Sequence, residues 1–314
     1  MNGTTESLLI LTLGMVGILL ILSIVGEFVR ARVAGGEDSP TAEIFLTRVQ
    51  SWWAMVLLLS LALLIGRGGV MALFAFCSFA ALREFLTMTT KRQADHLSLA
   101  AAVYLVLPLQ YLFVWADWPR AFTVFVPVYA FLFLPVISAL RADPKDYLER
   151  IAETQWALMV AVYCLSHIPA LLILDLPGFE GREVLLIAFL VTVVQSGDLL
   201  DFWFGRRIGK RRIVPGVSPK TWEGAACGVA SAAVIGAALH WLTPFGPVGA
   251  AAMAAAASAV GQAGALVLKT IKHDKGVKDW SHLIPGQGGF MDQLDSVIFA
   301  APVFFHLCVV VWGG

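Results

Sequence analysis

The chain has 314 residues, of which 59% are hydrophobic and 14% charged, and its mean hydropathy is +0.80. A soluble domain is roughly half apolar and about a quarter charged, so this composition excludes a water-soluble globular protein and predicts an all-α polytopic integral membrane protein. The formal net charge of zero says nothing about partners, and no nucleic-acid partner is expected.

A membrane helix needs about 20 mostly apolar residues. Ten segments qualify: 7–28, 51–66, 70–88, 98–115, 121–140, 155–174, 183–204, 224–242, 247–270 and 295–312. The first is flanked by Glu6 rather than by basic residues and is expected to be a retained helix. The second and third are separated by Arg67-Gly68-Gly69, which predicts a tight hairpin. Cys77, Cys164, Cys227 and Cys308 fall in apolar stretches without metal-ligand spacing and are expected as small buried hydrophobes. His167, His240 and His306 are isolated in or beside apolar runs and are expected to be structural. No internal repeat is visible.

Basic residues orient the helices. Only Arg67, Arg120 and Arg182 fall in loops of one side. The other 19 of the 22 lie after odd-numbered segments, among them Arg32, Lys91, Arg92, Arg150, Arg206, Arg207, Lys220 and Lys278. That side is expected to be cytoplasmic, with both termini outside. Residues 1–180 then form N-terminal transmembrane helices of uncertain role, and 181–314 a catalytic-type region with two cytoplasmic motif loops.

The two loops, 195–224 and 269–295, combine basic side chains, hydroxyls, glycines and carboxylates. Glycine-rich turns and cations bind phosphates. Carboxylates beside a phosphate call for a divalent cation, and Mg²⁺ held by one or two carboxylates plus phosphate oxygens is the usual arrangement. Such a site suggests phosphoryl or nucleotidyl transfer. Asp198 lies within an apolar run, where an acid is costly and a functional candidate. Asp201, one turn on, is expected to be a solvated acid at the helix end. Asp292 and Asp295 share a face at the start of the last helix, as capping acids or as metal ligands. The run Arg206–Arg212 is mostly a topology signal that also suits anionic headgroups.

Ser218-Pro219-Lys220-Thr221-Trp222-Glu223-Gly224 and the later run through Lys272-His273, Lys278-Asp279, Pro285-Gly286-Gln287-Gly288-Gly289 and Asp292-Gln293-Leu294-Asp295 resemble the two motifs of the CDP-diacylglycerol synthase (phosphatidate cytidylyltransferase) family. The resemblance covers about the last 130 residues. It departs from the family's pattern at several points. The first motif is one residue short. Ala265 stands where the family has Asp, Lys269 for Ser, His273 for Arg, Gln287 for His and Gln293 for Arg.

The resemblance implies an enzyme that makes CDP-diacylglycerol, or a related CDP-lipid, and pyrophosphate from CTP and phosphatidic acid or another lipid phosphate. It implies a bacterial inner-membrane location, Mg²⁺ with a possible second, monovalent cation, membrane lipids as surroundings, and a homodimer. Asp198, Lys220, Lys272, Lys278 and Asp292 are expected to carry catalysis, and Asp198, Asp292 and Asp295 to hold the metal. Ser218, Pro219, Thr221, Trp222, Glu223, Gly224, Asp279, Pro285, Gly286, Gln287, Gly288 and Gly289 are expected to bind substrate. The substitutions suggest an alternative: a member without turnover that binds lipid or nucleotide, or partners an enzyme of phospholipid synthesis. A transporter is the second alternative.

Overall fold

The computed structural model describes residues 3–33, 40–90, 92–141 and 143–312. Lys91 and the side chain of Arg32, both counted among the orienting charges, lie outside the described part. The described residues form helices and loops with no strand, only two isolated β-bridges.

Among the described residues, nine helices are long and apolar enough to cross a membrane. They are α1 (Gly3–Val33), α2 (Pro40–Ile65), α3 (Arg67–Met88), α4 (Gln93–Trp115), α5 (Pro119–Ala139), α6 (Tyr147–Ile173), α7 (Val184–Ile208), α9 (Pro247–Asp274) and α10 (Phe290–Trp312). The tenth expected span is the shorter α8 (Trp222–Ala238, 17 residues). At about 1.5 Å per residue α8 covers roughly 25 Å, and a 3₁₀ turn at His240–Leu242 prolongs it. The α2–α3 hairpin is as tight as the sequence suggested: Gly66 alone turns the chain, at φ 83°.

Helices α7 to α10 pack in sequence order, each against the next. Their close approach has a cause in the sequence of α8. Gly224, Gly228, Ala232 and Gly236 recur every fourth residue and are buried, and small residues let membrane helices approach backbone to backbone. A Cβ on Gly228 would lie 2.7 Å from the Gly197 carbonyl oxygen of α7 and 2.7 Å from Gln262 Nε2 of α9. A Cβ on Gly236 would lie 2.9 Å from the Ala250 carbonyl oxygen. α8 is thus wedged between α7 and α9 where the first motif begins.

The N-terminal helices are not a detached unit. α3 and α6 pack directly on α10. Their shared core includes Phe74, Phe85, Leu165, Ile168, Val297 and Phe304. α1 is peripheral, and Ile10, Leu13, Ile18, Ile21 and Ile24 point away from protein, as expected of a lipid-facing helix. Arg150, counted by sequence among the loop charges, is instead buried at 2% exposure and ion-paired to Asp95 at 2.7 Å. Burial of an arginine holds where its charge is paired. All four cysteines are free, Cys77 and Cys308 buried, Cys164 and Cys227 half-buried.

Candidate active site

The first motif forms the turn between α7 and α8, and most of its residues shape that turn. Thr221 is the N-cap of α8: its hydroxyl accepts from Gly224 N at 3.1 Å, satisfying an amide that the helix leaves open. The Glu223 carboxylate accepts from Lys210 N (3.1 Å) and Arg211 N (3.2 Å), tying the basic run to the helix start. Ser218 Oγ accepts from Lys220 N at 3.3 Å. Gly224 permits contact with α7, since a Cβ there would lie 2.7 Å from the Asp201 carbonyl oxygen and 2.8 Å from Gly205 Cα. Pro219 directly precedes Lys220 in the turn, and Trp222 is exposed.

This scaffold aims Lys220 inward. Its Nζ lies 2.8 Å from Asp198 Oδ1 and 2.8 Å from Asp201 Oδ2. Burial opposes the charge on Lys220, but the Asp198 and Asp201 carboxylates outweigh it and raise the ammonium pKa above its ordinary 10.5. Asp201 is therefore not the solvated helix-end acid expected: it is 1% exposed and faces α8. The amphipathic spacing that pairs it with Asp198 turns both toward the packed interior, because α8 covers that side of α7.

The other wall of the cluster comes from α10. Ser296 Oγ donates to Asp198 Oδ2 and, at 3.2 Å, to Asp295 Oδ1. Asp295 interacts electrostatically with Asp198, Lys269 and Lys220, and Lys269 with Lys220, Asp295, Asp198 and Lys272. Three carboxylates, Asp198, Asp201 and Asp295, thus gather with two lysines, Lys220 and Lys269. Ala265, one of the departures from the resembled motif, is buried in α9 at 1% exposure.

Asp292 stands one turn before Asp295, and its oxygens are engaged by protein groups. Oδ1 pairs with Lys272 Nζ at 2.5 Å, and Oδ2 accepts from Trp280 N (2.9 Å) and Gly289 N (2.8 Å). It serves as a capping acid at the start of α10. Among the described residues, no three His, Cys, Asp or Glu side chains gather as a metal-binding set.

The second motif folds as a turn closed by Ile284 N donating to Gly288 O at 2.8 Å. Gly286 and Gly288 adopt φ 71° and 87°, a region that favours glycine. Gln287 Nε2 donates to Arg48 O (2.9 Å) and Gln293 Nε2 to Gln287 O (2.9 Å), so both substituted positions brace the turn. Gln195 Nε2 donates to Gln293 O at 2.9 Å, joining α7 to it. Beside the turn opens a cleft of about 500 Å³, lined by Arg48, Lys278, Asp279, His282 and residues 284–288. His273 is exposed at the end of α9.

Three contributors come from the N-terminal helices and were not singled out by sequence. Arg48 of α2 lines the cleft and donates from Nε to Gly286 O at 3.3 Å. Ser51 Oγ donates to Pro285 O at 2.9 Å. Glu84 of α3 is 3% exposed and accepts from Ser281 Oγ, Phe290 N and Met291 N. A signal for Glu84 was present, since an acid inside an apolar helix is a candidate by default. Ser296, which bridges the two aspartates, had none.

With this arrangement in view, the chain can be placed. Residues 46–311 match the model of the cytidylyltransferase family, and the chain belongs to that family. The class is thus an all-α polytopic membrane protein of cytidylyltransferase type. Among individual proteins, it is 34% identical to "Uncharacterized protein YnbB" of Escherichia coli K12 over 82% of this chain and 85% of that one. It is 36% identical to a phosphatidate cytidylyltransferase of Brucella abortus over 41% of this chain and 49% of that one. With the phosphatidate cytidylyltransferase of Bacillus subtilis the identity is 27%, over 64% and 73%.

Proposed function

We propose that this protein transfers the cytidylyl group of CTP to the phosphate of a membrane lipid, phosphatidic acid in the first instance, giving CDP-diacylglycerol and pyrophosphate. The observation that carries this reading is the convergence of both motifs. Lys220 of the first motif meets Asp198 and, through Ser296, the helix that the second motif opens. The cleft of Lys278 and Arg48 adjoins that same helix start.

The residues present fit a divalent cation. The cluster holds an excess carboxylate, and Asp201 Oδ1 is buried without a hydrogen-bond partner. Asp198 and Asp295 would hold Mg²⁺, with phosphate oxygens and water completing its shell; Asp292 would instead hold Lys272. The ion would neutralise charge on the triphosphate. Lys220 and Lys269 would offset negative charge at the reacting phosphates, and Lys278, Arg48 and the Gly286–Gly289 turn would hold the nucleotide. An oxygen of the lipid phosphate bonds to the α-phosphorus of CTP as the bond from that phosphorus to its bridging oxygen breaks. Pyrophosphate leaves with the electron pair. Cytosolic CTP requires the site on the cytoplasmic face of the membrane, which the basic-residue bias supports.

Purified protein in mixed micelles with labelled CTP, phosphatidic acid and Mg²⁺ should form labelled CDP-lipid, and Asp198→Asn should lose it. A second reading is favoured by one observation: Lys220 already bridges two carboxylates, and the side-chain amides of Gln287 and Gln293 are spent on backbone carbonyls. On that reading the protein binds nucleotide or lipid without turnover. Labelled CTP retained by folded protein, with no product from several lipid phosphates, would select it.

A further inference from the structure

We propose that Glu84 is a positioning residue for this site: α3 supplies the carboxylate that caps α10 and fixes where Asp292 and Asp295 stand. This rests on the reaction proposed above. A helix leaves its first amides without partners, and its N-terminus favours negative charge. At α10 two of those amides, Phe290 N and Met291 N, donate to Glu84 Oε1 and Oε2, each at 2.9 Å. Ser281 Oγ donates to the same carboxylate at 2.6 Å, so one side chain joins α3, the loop before the turn, and α10.

Two further features belong to this joint. A Cβ on Gly289 would lie 2.6 Å from the Glu84 carboxyl carbon, so the bare glycine is what admits Glu84 to the helix end. Next to Glu84, Phe85 stacks on the buried Trp280 with ring centroids 5.0 Å apart. The Trp280 amide in turn donates to Asp292 Oδ2. Glu84 and Phe85 therefore hold the chain on both sides of the Pro285–Gly289 turn from a helix far away in the chain. Glu84 itself touches neither Asp198 nor Lys220; it acts through α10.

The test compares the whole protein with Glu84→Ala and with Glu84→Gln, which keeps one acceptor oxygen. Turnover, KM for CTP, thermal unfolding and hydrogen exchange of the Phe290–Asp292 peptide are measured in detergent. Expected for Glu84→Ala in its folded fraction is a kcat about 100-fold lower, a KM changed less than about threefold, and exchange of that peptide at least about tenfold faster, with α7 unchanged. Glu84→Gln should fall between. A kcat within about twofold of wild type, a loss that only tracks the unfolded fraction, or unchanged exchange at Phe290–Asp292 would overturn the proposal. If the wild type itself makes no CDP-lipid, the reaction fails, and the exchange measurement still decides whether Glu84 holds α10.

Discussion

Lys220 joins the carboxylates of the candidate site through one side chain. It is 10% exposed and lies between two carboxylates, one of them fully buried. Removing one partner of a buried pair leaves an uncompensated charge and costs about 3–5 kcal/mol. Lys220→Met is expected to lower stability by about 3 kcal/mol and to abolish turnover. Adding Asp201→Asn should recover part of the stability and none of the activity; unfolding of the two variants in detergent checks this. The pH dependence has a definite sign. Because the folded-state pKa of Lys220 is raised above 10.5, its contribution is fully present below that value and is lost as pH rises through the folded pKa. The wild type should therefore lose stability above about pH 10.5 over a range where Lys220→Met does not. Sequence singled out Asp198 because an acid in an apolar run is costly, and Lys220 through the resemblance of its motif. It misjudged Asp201 because the helix that covers it, α8, lies beyond the loop.

At the scale of elements, the first motif is mainly a device for starting α8 against α7. Thr221→Ala removes the N-cap bond to Gly224 and is expected to cost about 1 kcal/mol. Gly224→Ala is expected to do more harm, because the atoms in its way include backbone atoms of Asp201 and Gly205. A cost of about 2 kcal/mol and loss of turnover are expected, against no effect for Gly68→Ala, which has open space around it. Thermal unfolding and the CTP transfer assay on the three variants test this. Helix existence was legible from apolar runs alone. What the runs do not show is the stripe of Gly224, Gly228, Ala232 and Gly236, whose meaning depends on which helices flank α8.

For the whole molecule, the bias of basic residues leads to the expectation that one face of the bundle is cytoplasmic and the other is not. With the four cysteines replaced, Lys210→Cys and Lys278→Cys should be labelled by an impermeant thiol reagent from the cytoplasmic side, and Arg120→Cys and Glu180→Cys only from the opposite side. Labelling of Lys210→Cys and Arg120→Cys from one side would contradict the arrangement. The N-terminal helices, whose role was open from sequence, supply Arg48, Ser51 and Glu84 to a site read from the last third of the chain. Such contacts span more than 190 residues, and no local pattern announces them. The proposed reaction proceeds by attack at the α-phosphorus of CTP. The most direct measurement supplies the same protein and phosphatidic acid with CTP labelled at either the α- or the γ-phosphate and follows label into lipid. The α-label should enter the lipid while the γ-label leaves in pyrophosphate. Transfer of γ-label, or of neither by folded protein, would contradict that reaction.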